Sequence, residues 1–185
     1  SEHIGNILIH PENSDIIYVS AYGPLWNKGG DRGIYKTTDG GKSWNKILFI
    51  DEHTGFNEIH MDPRNPDVLY ATSHQRRRHV YTYVGGGPGS GIHKSVDGGN
   101  TWRKINKGLP GVEIGRIGMD ISDANPEVIY AIVEASDRKG GFYKSTNRGE
   151  SWQKQSSKVT SGNYYQEIFA DPVDVDVVYV MDTYM

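Results

Sequence analysis

The chain repeats itself about every 50 residues, and this repetition constrains its fold more than any other feature. With Ile7, Ile59, Ile117 and Ile168 taken as equivalent positions, the steps are 52, 58 and 51 residues. Three segments end alike, at residues 35–44, 93–102 and 143–152. Each carries Ser or Thr, then Asp or Asn two residues later, Gly two after that, and Trp three further on. A fold built from similar units laid side by side is therefore expected.

A second sequence pattern recurs upstream of each of these segments and once more near residue 175. It consists of a turn rich in Pro, Asp or Asn, then a β-branched run and a Tyr, at residues 11–18, 63–70, 125–130 and 172–179. Each complete repeat holds four short strand-like runs separated by turn signals, which in the first repeat are residues 4–9, 16–21, 33–37 and 43–48. This pattern predicts antiparallel meanders, and the continuous apolar second strands indicate sheets covered on both faces.

The spacing predicts an all-β fold, a β-propeller sector of four-stranded antiparallel blades. We place the blades at residues 4–50, 56–106 and 114–156, with the first half of a fourth at 164–185. Three and a half blades fall short of the smallest closed propeller, which has about four. We therefore expect a fragment of a larger propeller, whose open flanks are covered by remaining blades of the same chain or by a second copy.

Composition and charge exclude several classes of function. The net charge is −3, with 20 Lys and Arg against 23 Asp and Glu, so a nucleic-acid partner is not expected. No apolar run approaches the ~20 residues that cross a bilayer, so no membrane span is predicted. The chain has no cysteine, and its seven histidines show no close-spaced ligand motif, so we predict no metal site and no cofactor.

The turn between the third and fourth strands of each repeat is predicted to be a structural hairpin clip. Glycine supplies positive φ there, and an Asp or Asn side chain accepts hydrogen bonds from nearby backbone N–H groups. The Trp that follows is expected to pack back on the blade. The residues predicted to form the three clips are Thr37, Asp39, Gly41 and Trp44, then Ser95, Asp97, Gly99 and Trp102, and finally Ser145, Asn147, Gly149 and Trp152.

The clip pattern resembles the Asp-box, or bacterial neuraminidase repeat, of sialidases, xyloglucan-degrading propeller hydrolases and sortilin-type receptors. Residues 62–70, 75–78 and 86–91 are also similar to a large bacterial family often labelled glycosyl hydrolase with sortilin-like repeats. The resemblance implies an Asp-box β-propeller and an extracytoplasmic location, whether secreted, periplasmic or at the cell surface. A sialidase is not expected, because the Arg-Ile-Pro segment is absent and the arginines at 76–78 are adjacent rather than spread over blades.

Loops opposite the clips are the predicted ligand face, because they vary in length and are chemically rich. Arg76, Arg77 and Arg78 have the chemistry to bind anionic groups, or else form salt bridges with Asp51 and Glu52. The aromatic side chains on these loops could stack on a sugar or a peptide, or else anchor their own loops. The complete set of predicted ligand-binding residues is Trp26, His74, Arg76, Arg77, Arg78, His79, Tyr81 and Tyr83.

Two classes of function remain open. We predict a non-catalytic binding or scaffold propeller that displays loops for a protein, peptide or glycan partner. The alternative is part of a secreted glycoside hydrolase of the Asp-box propeller type, which needs two carboxyl groups across a sugar-binding cleft. The catalytic candidates for that alternative are Glu58, Asp51 and Glu52, and the sequence selects no pair among them.

Overall fold

A computed structural model describes residues 2–160 and 164–182 of the chain. Its strands are β1 (Ile4–Ile9), β2 (Ile17–Ala21), β3 (Gly33–Thr37), β4 (Asn45–Leu48), β5 (Thr54–Asp62), β6 (Asn65–Gln75), β7 (Arg77–Arg78), β8 (Tyr83–Val84), β9 (Gly91–Ser95), β10 (Arg103–Lys104), β11 (Ile114–Ile121), β12 (Ile129–Ala135), β13 (Gly141–Ser145), β14 (Gln153–Ser156), β15 (Glu167–Ala170) and β16 (Val178–Met181). Within the described ranges, the only helical element is a 3₁₀ turn at Ser136–Arg138.

The strands form three antiparallel four-stranded sheets, in the orders β1-β2-β3-β4, β5-β6-β9-β10 and β11-β12-β13-β14. A fourth, two-stranded sheet pairs β15 with β16, and β7 pairs with β8 in a small separate hairpin. The first strands of the four sheets lie side by side, β1 against β5, β5 against β11, and β11 against β15. The predicted all-β class of four-stranded antiparallel sheets is confirmed. The last predicted residues, 183–185, lie outside the described part of the chain.

The apolar core lies in slabs between successive sheets. The first slab joins sheets one and two through Tyr18, Ile34, Phe56, Ile59, Leu69 and Ala71. The second joins sheets two and three, and the third joins sheet three to β15 and β16. Because the second strands are covered on both faces, they read as continuous apolar runs in the sequence.

Each predicted hairpin clip is a closed network of hydrogen bonds. In the first clip, the Asp39 carboxylate accepts the Thr37 hydroxyl at 2.7 Å and the Ser43 amide at 2.9 Å, while Thr37 Oγ1 accepts the Gly41 amide at 3.0 Å. The second and third clips repeat this arrangement around Asp97 and Asn147. Since Ser43 is held by Asp39, β4 begins at Asn45 rather than at the predicted residue 43.

Hydrogen bonds from a recurring Tyr and Lys join the second and third clips to the preceding sheet. Tyr18 on β2 and Lys36 on β3 both donate to the Gly98 carbonyl in the second clip, at 3.1 and 2.8 Å. Tyr70 and Lys94 do the same to the carbonyl of residue 148 in the third clip, at 3.2 and 2.8 Å. The recurring Tyr in the second strand and Lys in the third are therefore parts of the blade-to-blade interface.

Candidate functional site

The connections at the end opposite the clips form a surface that we call the loop face. Second strands end there and inner strands begin there. The longest connection, between β6 and β9, contains the β7–β8 hairpin, in which Arg77 pairs with Val84 and Arg78 with Tyr83. This hairpin is tied to the first sheet by the Arg78 amide, which donates to the Leu25 carbonyl at 2.9 Å.

The loop face contains a cleft of about 640 Å³ between the β6–β9 connection and the third sheet, which we call the loop-face cleft. It is lined by Gln75, Tyr83, Val84, Gly85, Gly86, Gly87, Pro88, Glu113, Gly115, Glu134, Ala135 and Ser136. Two carboxylates thus face the same open groove: Glu113 from the segment before β11 and Glu134 near the end of β12. A groove of this kind suits an extended ligand.

Glu134 and Glu113 occupy different environments. Glu134 is half-buried, and burial raises the pKa of its carboxyl above the ordinary value, although the Arg116 amide donates to its Oε2 at 3.2 Å. Gly115 makes room for it, because a Cβ there would lie 2.5 Å from the same oxygen. Glu113 is exposed. Burial thus favours the protonated form of the Glu134 carboxyl.

The wall of the cleft is positioned by a buried Tyr–His pair. Tyr22 and His74 occupy equivalent positions in their sheets. Tyr22 follows Ala21, the last residue of β2 that pairs with β3, and His74 follows Ser73, the last residue of β6 that pairs with β9. The Tyr22 hydroxyl contacts His74 Nδ1, and His74 Nε2 donates to the Gly85 carbonyl at 3.0 Å. Burial lowers the pKa of His74 to about 3, so this ring is neutral. His74 is 1% exposed and has both ring nitrogens occupied, which gives it a structural position under the cleft.

Arg76 and Arg77 line a smaller pocket beside the cleft. The Arg76 guanidinium stacks on the Tyr22 ring, with its central carbon 3.4 Å from the ring centroid. The salt bridges with Asp51 and Glu52 that the sequence offered as an alternative are not formed. Asp51 instead accepts the His53 amide at 2.7 Å, and Glu52 pairs with Lys28 at 3.1 Å.

The remaining predicted ligand residues are spread over the loop face. Tyr83 lines the cleft, and its ring lies 5.4 Å from the Arg78 guanidinium. His79 lines the smaller pocket and stacks on Tyr81, which is 87% exposed at the tip of the hairpin. Trp26 is exposed and lines neither the cleft nor the pocket. The structure thus brings Arg76, Arg77 and His79 together in one pocket and Tyr83 to the adjoining cleft.

Glu58 lies elsewhere, in a second cleft of about 250 Å³ along the inner strands. Its carboxylate accepts the Met119 amide at 2.8 Å and contacts His60 Nε2 at 3.3 Å. Asp120 repeats this arrangement one sheet further on, where it accepts the Ala170 amide at 2.8 Å. Both carboxylates thus bind a backbone amide of the next inner strand. Neither Asp51 nor Glu52 lines the cleft that contains Glu58.

The sequence reasoning did not include Glu113 or Glu134 among its carboxylate candidates. A signal for Glu134 was present, since it follows the buried run 128–133 at the end where second strands meet the loop face. Glu113 lies in a connector with no such pattern. In residues 2–160 and 164–182, no group of three or more His, Asp or Glu side chains is arranged to hold a metal ion. No helix in these ranges is long and apolar enough to cross a membrane.

Two proteins similar in sequence to this chain are xyloglucanases. The chain is 26% identical over 182 residues to a xyloglucanase of Hypocrea jecorina (strain QM6a) and 25% identical over 177 residues to one of a Paenibacillus species. These alignments cover 92% and 89% of the chain but only 19% and 15% of the two enzymes. The chain therefore spans less than a fifth of the length of these relatives. No family model matches it.

Solved structures show the same architecture. The GH74 xyloglucanase of Xanthomonas campestris superposes with a TM-score of 0.72 at 14% identity, over 98% of this chain and 27% of the enzyme. The GH74 enzyme of Niastella koreensis superposes with a TM-score of 0.68 at 17% identity, over 96% of this chain and 28% of the enzyme. The propeller fold expected from the repeat spacing is thereby confirmed.

The comparisons correct the first prediction of function. The sequence reasoning preferred a non-catalytic binding or scaffold propeller, and this preference is wrong. It followed the sortilin-like resemblance and the fact that a binding module asks less of the sequence than an enzyme does. The folded chain, in contrast, places two carboxylates in one cleft. The similarity to xyloglucanases favours the alternative, a glycoside hydrolase propeller.

Proposed function

We propose that this chain is a sector of a glycoside hydrolase β-propeller that binds a polysaccharide in the loop-face cleft. The observation that carries the proposal is the pair of carboxylates, Glu113 and Glu134, in one open groove. Hydrolysis of a glycosidic bond uses one carboxyl group as acid and another as base or nucleophile. The relatives are named for xyloglucan, so a branched glucan of this kind is the first substrate to test.

In this proposal Glu134 is the acid. Its raised pKa keeps the carboxyl protonated closer to neutral pH, so it has a proton to give to the oxygen of the leaving sugar. Glu113 is solvent-exposed and serves as the second carboxyl group, the one that activates water or attacks the sugar. Tyr83 and the backbone of residues 85–87 form the opposite wall, where a sugar ring has an aromatic face and peptide groups to contact.

The test is the substitution Glu134→Gln, which keeps the shape of the side chain and removes its proton donor. We expect kcat on xyloglucan to fall by about 10²- to 10⁴-fold, the usual contribution of a general acid. Release of reducing sugar by the intact protein measures this rate. Glu12→Gln, at an exposed site in the first hairpin, is the matched control and should retain full activity.

Two results would contradict the proposal. One is a wild-type protein that hydrolyses neither xyloglucan nor any other soluble β-glucan. The other is a Glu134→Gln protein that turns over substrate as fast as the wild type. Circular dichroism at the assay temperature, together with a thermal melt, shows whether the variant remains folded. Lost activity is then not confused with unfolding.

We also propose that the hairpin clips are Asp-boxes and that the protein works outside the cytoplasm. In all three clips the Asp or Asn side-chain oxygen accepts a backbone amide four residues later. Asn147 differs only in donating from its Nδ2 to the Ser151 hydroxyl, whereas Asp39 and Asp97 accept from the Ser43 and Thr101 hydroxyls. This supports a repeated structural role rather than three ligand sites. A polysaccharide too large to cross a membrane must be met outside it, which favours the extracytoplasmic location that the Asp-box resemblance implies.

A further inference from the structure

A pocket of about 210 Å³ lies next to the loop-face cleft and has a strongly basic lining. It is lined by His53, Gln75, Arg76, Arg77, His79 and Val84, and we call it the arginine pocket. Gln75 and Val84 also line the loop-face cleft, so the two cavities share a wall. A group carried on a ligand in the cleft therefore has the arginine pocket within reach.

The positive charge of the arginine pocket is not balanced by the protein. Within residues 2–160 and 164–182, neither Arg76 nor Arg77 forms an ion pair with a carboxylate. The Nε atoms of both side chains are buried and have no hydrogen-bond partner. Arg116 and Arg78 add further positive charge near Arg76. This concentration of positive charge is local, because the chain as a whole has a net charge of −3.

The two arginines are also held in place before any ligand binds. Stacking on Tyr22 fixes the plane of the Arg76 guanidinium, and Tyr22 is itself held against the buried His74 ring. The Arg76 amide donates to the His53 carbonyl at 3.3 Å, which fixes the backbone on one side of the pocket. The backbone of Arg77 is fixed by its pairing with Val84 in the small hairpin. Two guanidinium groups that line one pocket and pair with no carboxylate match the two oxygens of an anionic group.

We propose that the arginine pocket binds an anionic substituent, a carboxylate or a sulfate ester, on the sugar chain that lies in the loop-face cleft. The preferred substrate is then an acidic polysaccharide, bound more tightly than a neutral glycan of the same length. This inference rests on the proposed function for the cleft itself. It adds the requirement that the preferred glycan carries a negative charge that reaches from the loop-face cleft into the adjoining arginine pocket.

The experiment is calorimetric titration of the intact protein with three oligosaccharides of equal length: a neutral xyloglucan fragment, a glucuronate-bearing fragment and a sulfated fragment. We expect at least one acidic fragment to bind about 10-fold or more tightly than the neutral one. The better of the two acidic fragments identifies the anionic group. In Arg77→Gln this advantage should disappear while binding of the neutral fragment stays unchanged.

Two further variants keep the test decisive. Arg138→Gln makes the same change of charge at an exposed site on the same face and should alter none of the three affinities. Arg77→Lys retains the charge without the planar fork and should lose part of the advantage, so it informs the test if Arg77→Gln fails to fold. Equal affinity for neutral and acidic fragments, or an equal loss of both in Arg77→Gln, would overturn the proposal.

Binding and hydrolysis report on different proposals. Suppose that acidic fragments bind more tightly, that Arg77→Gln abolishes this difference, and that no glycan is cleaved. The proposed role of the arginine pocket is then supported and the proposed hydrolase function is contradicted. If neutral and acidic fragments bind equally and both are cleaved by a Glu134-dependent reaction, the proposed hydrolase function is supported and the proposed role of the arginine pocket is contradicted.

Discussion

His93 is a buried residue whose ionisation links pH to folding. It lies on β9 with Nε2 3.0 Å from the Ser73 hydroxyl and its ring 5.8 Å from the Phe56 ring. Burial lowers the pKa of its imidazole to about 4. The unfolded chain, with a pKa near 6.5, binds a proton at a higher pH than the folded chain does. Stability that is fully present above about pH 6.5 is therefore lost as the pH falls toward 4.

We predict that the wild type loses about 2–3 kcal/mol more unfolding free energy between pH 7 and pH 4.5 than the variant His93→Gln does. Glutamine keeps a polar group beside Ser73 and does not titrate. Urea unfolding at the two pH values measures the difference. His74 titrates in both proteins, so its contribution cancels. Parallel losses in wild type and variant would mean that His93 is not held neutral in the fold.

At the scale of elements, the burial of the tryptophan in each clip depends on whether a preceding sheet is present to cover it. Trp152 is 3% exposed, and its Nε1 donates to the Ile105 carbonyl of the second sheet at 2.8 Å. Trp102 is partly buried against the first slab. Trp44 has no preceding sheet within the described residues and is 42% exposed.

We predict that Trp152→Ala destabilises the 185-residue chain by about 3–5 kcal/mol, the usual effect of removing a buried Trp. Trp44→Ala should change stability by less than about 1 kcal/mol, and Trp102→Ala should lie between the two. Denaturant unfolding of the three variants gives the order. A large effect at Trp44, or a small one at Trp152, would contradict packing toward the preceding sheet.

The sequence was informative wherever the structure is determined locally. The clip needs only a short segment, such as residues 37–44, to satisfy its own hydrogen bonds, so its pattern can be read from one repeat. The candidate site depends instead on contacts between sheets. Arg76 stacks on Tyr22, 54 residues earlier in the chain, and the Glu134 pocket requires Gly115 on another strand. Neither contact leaves a periodic signal, which is why the salt-bridge alternative for the arginines stayed open.

At the scale of the whole molecule, the first sheet presents an unpartnered apolar flank. A hollow of about 400 Å³ is formed there by Ile4, Ile7, Val19, Ala21, Asp31, Tyr35 and Trp44. Ile7 is 62% exposed although its counterparts Ile59 and Ile117 are buried in slabs. The far side of the array also exposes large side chains, among them Phe169 and Tyr179. In the blades between, the same surface is covered by a neighbouring sheet.

We predict that the 185-residue chain self-associates through these flanks, because apolar surface of this kind is covered wherever a neighbouring blade exists. Ile7→Asp places a charge in the centre of the hollow and should raise the dissociation constant at least 10-fold in sedimentation velocity. Val80→Asp adds the same charge at an exposed loop tip and should leave association unchanged. A wild-type chain that stays monomeric at high concentration would contradict the prediction that its apolar flanks associate. Association that Ile7→Asp leaves intact would place the contact on another surface.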